Sequence, residues 1–351
     1  MCFIGNRIQN LVIVSGRNIF LEIEVYWERS DYILIVKELS KPSRILKLEA
    51  LLRRIPVDHT KYTEMKEDLR KRLAGYNGER ALSYYLDFLP DKDYFIFHDL
   101  RLPNGPYHFQ IDYLVLSRRL AFILECKNFY GTLLLEDSFN QLIRTANDKE
   151  EGFQNPLSQA KWHQQQLRIF LQSHGFPHTP IEYLVAFSSP STILKTNSRS
   201  QAVLKRIVHG YNLLDRLDEI GKAYKKEGIE MKHLRKLCKL LLKNHVPSDQ
   251  DILQKYGLTK SDVITGVQCP NCKAFGMIRM RRKWFCEKCG CYDRDAHIDA
   301  VKDYFLLLNA TMSNKQFREF THLSSVDMAS KLLMRMNLPS SGANKGRVYH
   351  P

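Results

Sequence analysis

Asp112, Glu125 and Lys127 stand in the spacing D-x12-E-x-K inside the stretch FQIDYLVLSRRLAFILECKNFY, residues 109–130. That set suits metal-dependent cleavage of a phosphodiester. Mg2+ takes oxygen ligands and keeps several waters, so one or two carboxylates suffice. The metal polarises the phosphate and lowers the pKa of an attacking water. A lysine beside it orients the nucleophile and stabilises developing negative charge. Solvated or salt-bridged strand charges give the same pattern, so spacing alone does not decide. The apolar runs LVL and AFIL argue for buried strands, where uncompensated carboxylates cost desolvation energy. Gln110, Glu79 and Gln159 are candidates for the surroundings.

A second group is Cys269-x2-Cys272-x13-Cys286-x2-Cys289. Two knuckles of this spacing make a four-thiolate zinc site; iron or unmetallated thiols are the alternatives. The module reads as a zinc ribbon whose hairpin is FGMIRMRRKWF. Arg279, Arg281, Arg282, Lys283 and Trp284 alternate cation with aromatic, which suits backbone contact and base stacking on nucleic acid. The competing reading packs the aromatics beneath the ribbon. Cys291 reads as a spare thiol, and Cys2, Cys126 and Cys238 as isolated residues, with Cys126 in the core. His163, one turn on from Gln159, either reaches the phosphate or, the favoured reading, is a helix-surface histidine, and Leu51-Leu52-Arg53-Arg54 reads as an amphipathic helix with an exposed basic face. There is no GxxxxGK[ST] phosphate loop.

The chain has 351 residues, 44% of them apolar, and a net charge of +15. The length allows two or three domains, and the charge favours a polyanionic partner. No apolar run reaches the length of a membrane span, and no secretory signal is evident. Paired CxxC motifs fit a reducing cytoplasm.

The elements that must position these groups follow from periodicity. Residues 62–89 read as one helix, with Leu69, Leu73, Leu82, Leu86 and Leu89 at helical spacing. Gly75 and Gly78 interrupt it. Either they allow close packing with Glu79 facing inward, or the helix breaks there and Glu79 is exposed. Tyr94–His98 reads as a strand and LRLPNGPYH as a loop. Two strands joined by Ser117, Arg118 and Arg119 carry the carboxylates. By alternation Gln110 and Asp112 share one face, Ile111 and Tyr113 the other, and Cys126 lies opposite Glu125. Residues 131–152 read as a further strand or hairpin with a loop. A helix starts at Asn155-Pro156, Ile181–Phe187 and Ile207–His209 are strands, and 211–244 is helical. This order indicates an α/β domain with its sheet between helices.

Four segments, GYNGERAL (75–82), QIDYLVLS (110–117), ILECKNFYG (123–131) and NPLSQAKWHQQQL (155–167), resemble the nuclease-related domain family, a branch of the PD-(D/E)xK nuclease fold. The resemblance runs from about residue 75 to 190. It implies Asp112 and Glu125 as Mg2+ (or Mn2+) ligands and Lys127 as the catalytic lysine. It also implies that Glu79 contacts the metal directly or through water, and that Gln159 lies near the substrate phosphate. A proline often precedes the first acid in the family; here Ile111 does.

The expected organisation is a restriction-endonuclease-like mixed α/β sheet flanked by helices, a zinc ribbon and C-terminal helices. Its parts are an extension (1–34), a basic amphipathic helix (35–62), the nuclease-like domain (63–244), a linker (245–268), the ribbon (269–292), helices (293–338) and a disordered tail (339–351). Trp27–Ser30 can be encoded by a purine run resembling a bacterial ribosome-binding site. One reading therefore starts translation near Leu34 on a non-AUG codon, the other keeps an authentic variable extension; the intact mass of the natively expressed protein decides. The expected function is Mg2+-dependent hydrolysis of nucleic acid, DNA ahead of RNA, in the cytoplasm, with structural Zn2+ in the ribbon. The alternative is a non-catalytic nucleic-acid-binding protein that keeps the fold.

Overall fold

In chain order the first elements are strand β1 (Ile35–Lys37), helices α1 (Ser43–Arg54) and α2 (Tyr62–Leu86), and strands β2 (Tyr94–Asn104), β3 (Tyr107–Ser117) and β4 (Ala121–Lys127). Strands β5 (Thr132–Glu136), β6 (Gln141–Ala146) and β7 (Lys149–Gln154) precede helix α3 (Pro156–Ser173). Then come β8 (Ile181–Phe187), β9 (Ile193–Thr196), α4 (Gln201–Leu204), β10 (Ile207–His209), α5 (Leu213–Ala223), α6 (Met231–Lys243) and α7 (Ile252–Lys255). The ribbon strands are β11 (Ile278–Met280), β12 (Lys283–Phe285) and β13 (Tyr292–Asp293). Helix α8 (His297–Leu307), strand β14 (Met312–Ser313), helices α9 (Asn314–Thr321) and α10 (Val326–Arg335), and strands β15 (Ser340–Ser341) and β16 (Val348–Tyr349) complete the chain. This computed structural model describes residues 35–90, 94–224 and 228–351. The extension 1–34 and the proposed start near Leu34 lie outside the described residues.

The described residues form two compact units: Ser43–Leu69 with Asp249–Pro351, and 35–42 with Arg70–Ser248. The second is mixed α/β. Its six-stranded sheet has the order β1-β2-β3-β4-β8-β10. β2, β3 and β4 are antiparallel neighbours, while β4–β8 and β8–β10 run parallel. One sheet face packs Ile111, Leu114 and Ile123 against Leu167 and Phe170 of α3 and Leu234, Leu237 and Leu241 of α6. The other packs Tyr113, Val115 and Phe122 against Leu82 and Leu86 of α2 and Leu213 and Leu217 of α5. Apolar burial on both faces is why β3 and β4 read as near-continuous apolar runs.

Several elements differ from the sequence reading, each for a local reason. LRLPNGPYH is not a loop: β2 and β3 pair from Tyr94↔Ser117 to Asn104↔Tyr107. Only Gly105 and Pro106 turn, with Gly105 at φ 58°. Pro103, inside β2, disguised the strand, because proline normally argues against one. Residues 132–154 give three strands, which join β9 in a second sheet of order β7-β6-β5-β9. The β6–β7 loop is Asn147-Asp148, both at positive φ, as a tight two-residue hairpin requires.

In the other unit, Ile252, Leu253, Tyr256, Leu258 and Val263 pack against Leu48, Leu51, Ile55 and Met65. The stretch read as a linker is thus core-forming from 252 onward; its helical pieces are too short to display a period. The tail read as disordered pairs β16 with β14 and β15, and Tyr349 joins the core with Phe317 and Leu333. Leu51–Arg54 does not present a uniformly exposed basic face. Arg54 is buried; its Nε donates to Asp303 Oδ2 at 2.7 Å and its Nη1 to the Ile264 carbonyl at 2.8 Å. Its guanidinium also sits over the rings of Phe275 and Phe320.

Candidate functional site

Glu79 reaches the sheet because α2 continues through both glycines. The two glycines are not equivalent. A Cβ on Gly75 would meet nothing within 4 Å, whereas one on Gly78 would lie 2.4 Å from Asn128 Cβ and 2.9 Å from Ser188 Oγ. Gly78 therefore lets α2 lie directly on the ends of β4 and β8. The Asn128 side chain donates to the Ala74 carbonyl at 2.7 Å, and the Tyr113 hydroxyl donates to the Glu79 carbonyl. Gly78→Ala should destabilise the fold by about 1–3 kcal/mol through this overpacking, while Gly75→Ala should be neutral or stabilising. Denaturant midpoints of the two variants check this pair of outcomes.

Asp112 sits where the strand alternation slips. Ile111 and Leu114 face the same core cluster, whereas Tyr113 and Val115 face the opposite one. Two residues, Asp112 and Tyr113, thus separate side chains that share a face. Ile111 and Tyr113, expected on one face by strict alternation, therefore lie on opposite faces, because the β2–β3 pairing passes over Asp99 and Asp112. The slip is matched on β2, where Phe97 and Leu100 share a cluster and Asp99 between them has φ 50°. The local irregularity brings Asp112 Oδ2 to 2.8 Å from the Cys126 backbone N–H, which donates to it.

Glu125 and Lys127 lie at the C-terminal end of β4. Lys127 Nζ donates to Glu125 Oε1 at 2.7 Å and to Gln159 Oε1 at 3.0 Å. Gln159 is carried by α3, whose first turn is fixed by Asn155 accepting from the Leu157 N–H and by Pro156 at its start. Lys127 thus joins Glu125 to Gln159, and Asp112 and Glu79 lie near enough to Glu125 for their charges to act on one another, a looser set than the cysteines described below.

His163 is not a surface residue. It is 6% exposed, and its Nδ1 lies 3.3 Å from Glu125 Oε2, an ion-pair distance without a hydrogen bond's alignment. The signal was present in the sequence: Ala160, His163 and Leu167 make one buried stripe of α3, and His163 follows Gln159 by one turn. Lys37 and Asp99 were missed altogether. Lys37 Nζ donates to the His98 carbonyl at 2.7 Å, and Gln110 donates to Asp99. Gln110 thus belongs to the rim, held by Asp99. No motif announces Lys37 or Asp99: Lys37 is placed by the pairing of β1 with β2 across the intervening helices α1 and α2, and Asp99 by a break in alternation at its positive φ.

Electrostatics separate the carboxyls. Burial, then the charges of Glu125 and Glu79, push Asp112 well above its ordinary value against the Cys126 N–H and Lys127. Burial also pushes Glu125 upward, but His163 and Lys127 outweigh it and hold that carboxyl below its ordinary value. Burial, then Asp99 and Glu125, raise Glu79 to about 7. A raised folded-state carboxyl binds its proton more tightly than the unfolded chain does. Between pH 4.5 and about 7 its contribution to stability therefore falls as pH rises. In the presence of a chelator, thermal unfolding of Glu79→Gln should show a shallower loss across that window than the unsubstituted protein.

The donor set fits a hard divalent cation. Asp112 and Glu125 offer carboxylate oxygens, Glu125 Oε2 has no hydrogen-bond partner, and burial together with the repulsion from Glu125 and Glu79 leaves Asp112 with a charge that a cation would stabilise.

The ribbon cysteines are gathered more tightly. Among the described residues, Cys269, Cys272, Cys286 and Cys289 are a group whose sulfurs all lie within 4.8 Å of one another. Cys269–Cys289 and Cys272–Cys286 are 3.6 and 3.5 Å apart. A zinc–thiolate tetrahedron has edges of about 3.8 Å. Each knuckle closes by a backbone bond, Lys273 N–H to Cys269 and Gly290 N–H to Cys286, with Lys273 and Gly290 at positive φ. Cys291 is outside the set of four. Arg281, Arg282 and Lys283 are exposed on the hairpin. Arg279 is partly buried over Trp284 and donates to the Arg282 and Arg294 carbonyls. Trp284, expected as a stacking platform, is 1% exposed and donates through Nε1 to His297 Nδ1. A ring so covered has no face to offer a base, so that expectation is corrected.

No helix among the described residues is long and apolar enough to cross a membrane. Residues 74–188 match the family model described as nuclease-related domain. No curated protein and no solved structure matches the chain.

Proposed function

We propose that this chain, which carries a nuclease-related domain over residues 74–188, hydrolyses phosphodiester bonds of nucleic acid with Mg2+ or Mn2+ at Asp112 and Glu125. The observation that carries the reading is the meeting of half-buried Asp112 from the middle of β3, buried Glu125 and half-buried Lys127 from the end of β4, and Gln159 from the first turns of α3. A bound divalent ion would supply charge neutralisation at the phosphate and a more acidic water. Lys127, directed by Gln159 and Glu125, orients the nucleophile and faces the charge that develops on phosphate. Gln159 fixes the amine in place. Glu79, poised near neutrality, holds or releases a proton at the edge of the site. His163 keeps Glu125 ionised.

The zinc ribbon adds a nucleic-acid contact through Arg281, Arg282 and Lys283, with Arg279 bracing the hairpin. DNA is proposed ahead of RNA, and the cytoplasm as the compartment, since the site needs its thiols reduced. Titration of the zinc-loaded full chain with Mn2+, followed by electron paramagnetic resonance, tests the metal site. Asp112→Asn should weaken the first Mn2+ by at least about tenfold. Unchanged affinity would remove Asp112 from it.

A further inference from the structure

Burial of Trp284 leaves the opposite face of the ribbon to be explained. Ile278 pairs with Phe285, and Phe285 pairs with Tyr292, so the three form one cross-strand row. Met280 and Lys283 pair beside it on the same face. This face is open: Ile278 is 42%, Met280 45% and Tyr292 55% exposed. The Phe285 and Tyr292 rings lie 4.7 Å apart. From Ile278 through Arg294 there are six lysines or arginines and two acids, Glu287 and Asp293. Asp293 pairs with Trp284 on the covered side. Arg281, Arg282 and Arg294 are exposed at the margins.

We infer that the Ile278–Phe285–Tyr292 face is the platform on which the ribbon stacks unpaired bases of single-stranded nucleic acid. Charge selects the occupant. An apolar row with a cationic rim suits a strand whose bases are free and whose phosphates are negative. A duplex keeps its bases stacked and would engage the rim alone. This inference rests on the reading of the ribbon as a nucleic-acid contact and is independent of catalysis at Asp112.

Fluorescence anisotropy of the zinc-loaded full chain tests it, with a labelled oligothymidylate and a duplex of equal length over a range of salt. Tyr292→Ala should weaken the single strand by about 5- to 100-fold, leave duplex affinity unchanged and keep the salt dependence. Arg281→Ala with Arg282→Ala should weaken both ligands and flatten the salt dependence. Bound zinc, measured in each variant, guards against a misfolded ribbon, and Ile278→Ser supplies a second, independent change to the face. If the arginine variant weakens binding but Tyr292→Ala and Ile278→Ser do not, the stacking face is wrong and the ribbon contact stands. If none of them alters binding, or single strand and duplex lose equally with Tyr292→Ala, the inference is overturned; the first of these also removes the ribbon contact.

Discussion

Lys127→Ala should cut nucleic acid about 10²- to 10⁴-fold more slowly than the unsubstituted protein, with Mn2+ affinity little changed at neutral pH. The amine touches Glu125 and Gln159 directly, so its loss removes the group that would orient the nucleophile without removing a carboxylate. Loss of its charge also removes one of the influences that hold Glu125 low. The variant's metal binding should therefore weaken toward acid pH more than the parent's, because more of Glu125 is then protonated. Single-turnover rates on labelled substrate and metal titrations at two pH values read both effects. A rate within a factor of two of the parent would remove Lys127 from the chemistry.

Cys272→Ser should take zinc from one per chain to below stoichiometry and loosen the unit built around the ribbon. Structural zinc supplies on the order of 10 kcal/mol to small thiolate modules, more than the marginal stability of most domains. The Cys269 and Cys286 side chains, Val267 and Trp284 share one core with Val301 and Phe317, so loss of the metal should reach beyond the knuckles. Hydrogen exchange should accelerate at Cys269, Cys286 and Trp284, while β3 and β4 keep their protection. Full zinc content with unchanged exchange would contradict a four-thiolate site.

Much of the site was legible because its chemistry is local. Asp112, Glu125 and Lys127 lie within sixteen residues of one another and on adjacent strands, and the cysteine spacing needs no fold to be recognised. Inward packing of Glu79 was one of two open readings, and the close approach at Gly78 selects it. What failed was whatever depends on distant pairing or on which side of a sheet a ring falls. Lys37 enters through the pairing of β1 with β2 across two helices, and Asp99 through a break in alternation at its positive φ. Asp112 owes its position to a slip in alternation that a period-two reading cannot anticipate. Trp284 and Phe285 are neighbours in sequence, so period two puts one inside and one outside, but it does not say which. His163 was readable from its stripe on α3 and was passed over because a lone polar residue on a helix is usually solvated. The short helices after Ile252 and the two-residue strands at the C-terminus are below the length at which periodicity carries information.

The most direct test is cleavage of mixed labelled DNA and RNA by the full chain and by Asp112→Asn, with Mg2+, with Mn2+ and with chelator. Cleavage by the parent in either metal, its loss in chelator, and a fall of at least about 10³-fold in Asp112→Asn are the results the proposed site requires. Equal residual cleavage by parent and variant, or stable binding with no cleavage in any metal, would contradict it, the latter in favour of a binding protein that keeps the nuclease fold.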